Sequence, residues 1–368
     1  MPVRVDILGR EARVPLVRFK SAARVGGNLT DTQVDAARPL IDDRAPATQP
    51  VVLGLKGGSR VRLVVERLNL DAATPLAVRS SNPGAVRVAS PAEGRLPSGA
   101  TADVELEASA ASASDVEADV EIRHEDLVLH RLRVVVRPVV RVGVAFYRVH
   151  VKRDFGDGAT VDGSGAPAPP ADRILEKVNA IWSPAAVEFV GREGGATAVD
   201  VACEAADVVN IAGPDLAALF AAGALPGRIN VYFVRGIVIR GTNSAGEAVA
   251  VPLLGWSATP DVQAERSLPA AGVLTADPDW DSAARTIAHE FGHFLSLQHT
   301  YEVPSGDAER AAGAPATREL SPYFLMHWRA PIGHFIPMKR VPSGSGGLVD
   351  NGVAEARAGA RSAGYVLP

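Results

Sequence analysis

The sequence predicts a multidomain protein in which an N-terminal all-β sandwich is followed by an α/β (α+β) domain. Two patterns point there. Between Val51 and Pro138 apolar residues alternate with period two and hardly any helical periodicity intervenes. From Arg141 onward, short apolar runs alternate with stretches whose apolar residues recur at helical spacing. A length of 368 residues agrees with two or three domains at about 150 residues each, and 47% hydrophobic residues can fill real cores.

The elements follow in chain order. Residues 1–47 read as a short hairpin, Val3 to Lys20, and a polar connection. Residues 48–139 form the sandwich. Val61, Leu63 and Val65 alternate with polar neighbours, as do Ala102, Val104, Leu106 and Ala108 and the run Val128, His130, Leu132, Val134 and Val136. Turn clusters such as Ser80-Ser81-Asn82-Pro83-Gly84 and Pro97-Ser98-Gly99 separate them, a spacing expected of an antiparallel sandwich. The segment resembles bacterial immunoglobulin-like modules. His124 and His130 lie within strand patterns and read as packed or surface residues.

Residues 140–368 form the second domain. Arg141 to Tyr147 alternates like a first strand, and the Gly-, Ala- and Pro-rich stretch from Gly156 to Pro170 reads as an exposed loop. Asp172 opens a helix with Ile174, Val178 and Ile181 on one face, ending near Ser183-Pro184. Strands follow at Val187 to Phe189, Val208 to Ile211 and Ile229 to Val234, with a helix opened by Pro214-Asp215. The next helix has Asp281 and Ser282 as N-cap candidates and buries Ala284, Ile287, Ala288, Phe291 and Leu295.

That last helix carries the most informative residues of the chain. His289-Glu290-Phe291-Gly292-His293 is followed, six positions after its second histidine, by His299. Positions i and i+4 of a helix share a face, so His289 and His293 can offer nitrogens to one ion, and Glu290 can reach a water on that ion without binding it. Three histidines leave a fourth tetrahedral position open, which suits zinc. His299 can join them only if the helix stops soon after Leu295, because a continued helix would carry it about 9 Å away along the axis.

These residues resemble the metzincin metallopeptidases, whose pattern is HExxHxxGxxH followed by a Met-turn. Ser296 stands where that family usually has glycine. Ser321 to Trp328 resembles the Met-turn, with Met326 as its methionine. Leu254-Gly255-Trp256-Ser257 and Leu297 to Tyr301 look most like the pappalysin branch, although the cysteines often found there after the zinc motif are absent. The resemblance spans roughly residues 141 to 340 and implies one catalytic Zn2+ held by His289, His293 and His299. It implies a zinc-dependent endopeptidase in which Glu290 activates a zinc-bound water against a peptide bond. It also implies that Val251 to Ala258 form an edge strand, which Pro252 fits, and that Leu254, Gly255, Trp256 and Ser257 on it bind substrate, with Gly255 allowing close approach of the substrate backbone. Trp328 replaces a tyrosine that serves the oxyanion in some members, leaving Tyr301, Tyr323 and His327 as candidate donors.

Composition narrows the partners. A formal charge of −4 and a pI near 6.1 give no reason to expect nucleic acid, and there is no run of 18 apolar residues for a membrane span. A protein or peptide substrate is the partner expected, and the oligomeric state is open. The single cysteine, Cys203, excludes an intramolecular disulfide framework and reads as structural. Asp6, Arg10 and Glu11 occupy the place of a signal peptide's apolar core, so no Sec signal is expected. The location implied is extracellular by a non-Sec route or by delivery, with cytoplasmic as the alternative. Three other readings stay open at this level: an adhesion or binding protein with a non-catalytic zinc site, a delivered toxin or effector protease, and a zinc hydrolase acting on a non-peptide amide.

Overall fold

The computed structural model describes residues 3–7, 10–14, 16–21, 51–110, 113–152, 160–162, 171–192, 197–202, 208–242, 245–277, 280–295, 297, 341–342, 348–349, 357–359, 361 and 366–367. They make a β-rich protein with three separate cores, one built from residues 17–136 and two from residues 140–297. Among the described residues no helix is long and apolar enough to cross a membrane.

Strands β1 (Val3–Ile7) and β2 (Arg10–Val14) pair only with each other. Then come β3 (Val17–Ser21), β4 (Val51–Lys56), β5 (Arg60–Arg67), β6 (Leu76–Ser80), β7 (Val86–Ser90), β8 (Arg95–Leu96), β9 (Thr101–Ala108), β10 (Val116–His124) and β11 (Leu127–Arg137). They form a four-stranded sheet, β3-β5-β9-β7, and a five-stranded sheet, β4-β11-β10-β6-β8. In β5 and β9 every second residue is buried, so one face of the pair joins the core. The opposite face carries cross-strand ion pairs, Arg60 with Glu105 and Arg62 with Asp103. Two expectations are corrected here. The hairpin ends at Val14, and Val17–Ser21 instead pairs with β5, burying Val17 and Phe19. The pairing is also not wholly antiparallel, because β4 runs parallel to β11. His130 is half-buried with its ring 5.7 Å from that of Phe19, and His124 Nδ1 lies 2.9 Å from the Pro75 carbonyl.

After Pro138 the chain enters β12 (Val140–Lys152), the longest strand and the organiser of the second region. Beyond it lie β13 (Thr160–Asp162), α1 (Ala171–Trp182), β14 (Val187–Gly191), β15 (Thr197–Ala202), β16 (Val209–Asn210), α2 (Asp215–Ala221) and β17 (Ile229–Phe233). Then follow β18 (Ile237–Thr242), β19 (Ala248–Leu253), β20 (Gly255–Ala258), α3 (Pro260–Glu265), β21 (Gly272–Thr275), α4 (Trp280–Phe294), β22 (Val341–Pro342) and β23 (Leu348–Val349). Parallel partners β14 and β15 lie end to end along one side of β12, and parallel β17 lies on its other side. The sheet continues through β21 to β20, which is antiparallel to β21 and is its edge among the described residues. The strand β13 falls inside the stretch expected to be an exposed loop and pairs with Val151 and its neighbours.

The two faces of this sheet are covered differently. Val140, Val142, Val144 and Phe146 turn toward α1 and α4, while Ala145, Tyr147 and Val149 turn toward α2 and the β16–β18 sheet. All five residues of β17 are buried, as expected of a strand with both faces covered. The described residues from 357 onward return to this region, whereas β22 and β23 are paired with each other. Val366 bridges Val142, Leu367 N–H donates to the Arg141 carbonyl, and buried Arg357 donates to the Ala185 carbonyl at 2.8 Å.

Candidate metal centre

Helix α4 is fixed by one apolar face and by two polar contacts. Ala284, Ile287, Ala288, Phe291 and Phe294 are at most 1% exposed. The Phe291 ring packs 4.4 Å from Phe189, and Trp182 Nε1–H donates to the Ala288 carbonyl at 3.2 Å. Thr286 Oγ1–H donates to Asp277 Oδ2 at 3.3 Å, holding the first half of the helix to the segment leaving β21. The helix starts at Trp280, so Asp281 and Ser282 sit inside its first turn and are not N-caps.

The helix stops where a returning third ligand would require. Leu297 N–H donates to the Gly292 carbonyl at 2.8 Å, a six-to-one bond of the kind that closes a Schellman motif.

His289 and His293 stand one turn apart on this helix, ring centroids 4.9 Å from each other at 82°. His293 Nδ1–H donates to the Leu297 carbonyl at 2.9 Å, which orients the ring and leaves Nε2 as the lone-pair nitrogen. Burial lowers the His293 pKa, opposed by that hydrogen bond, and so favours the neutral imidazole a metal needs. Glu290 is 7% exposed, and burial pushes its carboxyl up to about 8. Two imidazoles on one face, with a desolvated carboxyl beside them, fit an N-ligated divalent metal such as zinc. Among the described residues no group of three metal-binding side chains forms. His299, Met326, Tyr301, Tyr323 and His327 lie outside those residues.

The edge strand β20 runs directly against α4. A Cβ on Gly255 would come within 2.5 Å of Thr286 Cγ2 and 2.7 Å of Glu290 Oε1. The close approach expected of Gly255 is therefore to the helix, and the side-chain position it leaves empty is filled by Glu290. Ser257, two residues on, is buried, whereas Leu254 is exposed and Trp256 packs on the opposite core beneath the Arg266 guanidinium, 5.8 Å from its ring. The backbone phase follows from one bond. Ala276 N–H donates to the Leu254 carbonyl, which puts Leu254, Trp256 and Ala258 in hydrogen-bonding phase with β21. The N–H and C=O groups of Gly255 and Ser257 face the open side.

Sequence reasoning missed Thr286 and Asp277, which anchor the helix, and Gly359, where a Cβ would strike the Leu295 backbone at the helix exit. Thr286 lies four residues before Glu290 and so on its face, a spacing that could have found it. Nothing near Gly359 in the sequence signals its contact.

Comparison with protein families adds an independent observation. Curated proteins give no match. The sequence model of peptidase family M43, described as pregnancy-associated plasma protein-A, matches residues 227–321, a stretch that includes β17 to α4 and His299. Through that match this part of the chain is similar to a pappalysin-like, metzincin-type family, which supports a zinc metallopeptidase.

Proposed function

We propose that the chain is a zinc-dependent endopeptidase and that residues 140–368 are its catalytic domain. The observation that carries this reading is Glu290, buried between two histidines of one helix face and pressed against the edge strand at Gly255. His289, His293 and His299 would hold the metal, with Met326 in the turn beneath it. A dication held there would polarise the scissile carbonyl and an attacking water, and would draw the Glu290 carboxyl toward its charged form.

The protein's own groups supply the remaining steps. The open-side N–H and C=O groups of Gly255 and Ser257 pair with an extended substrate and place its carbonyl over the site. Glu290 accepts the proton of the water as its oxygen bonds to the carbonyl carbon. The C–N bond then breaks, and Glu290 returns that proton to the departing amine. Tyr301, Tyr323 and His327 are the candidates for a further hydrogen bond to the oxyanion. Residues 48–139, with the strand Val17–Ser21 that joins their sheet, are proposed as an immunoglobulin-like module.

The test is denatured casein with and without a chelator, using wild type and Glu290→Gln. Cleavage abolished by the chelator, with zinc retained but activity reduced at least 10²-fold in Glu290→Gln, is the expected result. Undiminished cleavage by Glu290→Gln overturns the assignment.

A further inference from the structure

Six large apolar side chains are prominently exposed among the described residues, and four of them, Ile239, Val249, Val251 and Leu254, fall within sixteen residues of chain. Val251 is the most open, at 50%. They belong to the β18–β19 ribbon and its exit, immediately before the edge strand. The ribbon's register groups three of them. Ile237 pairs with Leu253, Ile239 with Val251 and Gly241 with Val249, and residues directly opposite in a pair share a face. The first rung of this face is anchored: Ile237 is 2% exposed and Leu253 packs on the same core. The next two rungs leave the core and present an aliphatic stripe to solvent, on a ribbon that would be expected to carry polar residues if it had only to stay in water.

Backbone phase places this ribbon relative to the cleft. The Gly236 and Val238 carbonyls accept from β16, so by alternation Ile237 and Ile239 direct theirs to β19 and are hydrogen-bonded with Leu253 and Val251. Leu254, the next residue, directs its carbonyl to Ala276 beside β21. Leu254 bends the chain between β19 and β20, so the ribbon and the edge strand are joined by this single residue although they belong to different sheets. A chain paired along the open side of β20 therefore lies one residue's length from the end of the ribbon. The outward backbone positions of β19 are Ala248, Ala250 and Pro252, and proline has no N–H to give. Recognition at the ribbon therefore falls to its side-chain face rather than to further strand pairing.

We propose that the β18–β19 ribbon is an exosite that docks an extended, aliphatic-rich stretch of the same polypeptide whose scissile bond lies on β20. This rests on the peptidase reading for its substrate, and its continuity with the edge strand selects a substrate chain over other occupants. The site favours long, unfolded, apolar chains and has no effect on peptides too short to span both surfaces.

The test uses the full chain carrying Ile239→Ser and Val251→Ser together, both exposed positions, with unchanged melting temperature as the control for folding. Binding of reduced, carboxymethylated casein is measured by fluorescence anisotropy in the Glu290→Gln background, and kcat/KM is measured on casein and on a hexapeptide cut from it. The expected result is casein binding and casein kcat/KM each about tenfold weaker, which is ~1.4 kcal/mol, with the hexapeptide rate unchanged. Equal casein binding in the two proteins overturns the proposal. So does sedimentation showing a wild-type dimer that the double variant converts to monomer, which would make the stripe a contact between copies. A wild type that binds casein through the ribbon but cleaves nothing would defeat the peptidase reading and leave the docking surface standing.

Discussion

Gly255 and Glu290 depend on each other at the level of single atoms. The missing side chain of one is the space occupied by the carboxyl of the other, at a distance no Cβ tolerates. Gly255→Ala should therefore displace Glu290 or push β20 off the helix, costing about 1–3 kcal/mol of stability. Its kcat on casein should fall more than tenfold while zinc content holds, checked by metal analysis and thermal melting. The same burial sets a pH dependence. The Glu290 carboxyl is near 8 folded against an ordinary 4.5, so between these values the folded, metal-free protein keeps a proton that the unfolded chain releases. Stability of the metal-free protein should fall as pH rises from about 4.5 to about 8, and Glu290→Gln should flatten that slope in denaturant titrations run with a chelator.

Elements translate such contacts into geometry. In β20, adjacent residues have opposite duties, since Trp256 directs its backbone to β21 and Ser257 directs its own outward. Ser257→Pro should leave the melting temperature within a few degrees and reduce peptide kcat/KM at least tenfold. Trp256→Pro removes a ladder donor inside the sheet and should cost about 3 kcal/mol. If Ser257→Pro cleaves normally, the edge strand does not hold substrate. Much of the element order was legible because the patterns are local: β12, α1, β14, β17 and α4 follow from alternation or from helical spacing. The start of α4 was misread because Asp281 and Ser282 favour caps by residue type, while the helix starts earlier, at Trp280, ahead of both. Val251 to Ala258 read as one edge strand, whereas the chain bends at Leu254 and Val251–Leu253 pairs with β18, a ribbon whose alanine, valine and glycine give neither a polar face nor a helical period. The reversal of hydrogen-bonding direction between Leu253 and Leu254 is a property of three strands together, and no window of sequence contains it.

Across the whole molecule, one arginine joins the two halves. Arg357 is 4% exposed, donates to the Ala185 and Ala186 carbonyls and approaches Asp115, which also pairs with Arg137 at the end of β11. Burial pulls its guanidinium down to about 10, still charged at neutral pH. Arg357→Met should lose about 1–3 kcal/mol by leaving the Ala185 carbonyl without its donor, while the Ala186 carbonyl keeps Val140 N–H, read as a lower urea midpoint with unchanged peptide cleavage below the transition. Neither Arg357 nor Asp115 stands out in the sequence, because their pairing spans most of the chain.

The return of Arg357, Gly359, Val366 and Leu367 to Ala185, to the exit of α4 and to β12 also orders events in time. Arg357 meets Ala185 across 172 positions, and closing so long a loop is slow compared with pairing neighbouring strands or forming a helix. The sheet and the histidine helix can thus form while the backing at Leu295 is still missing. On a ribosome this stretch emerges after everything it contacts. The histidine helix would then be in place before Gly359 packs on its exit at Leu295, so the helix end is the last part of this region to be fixed.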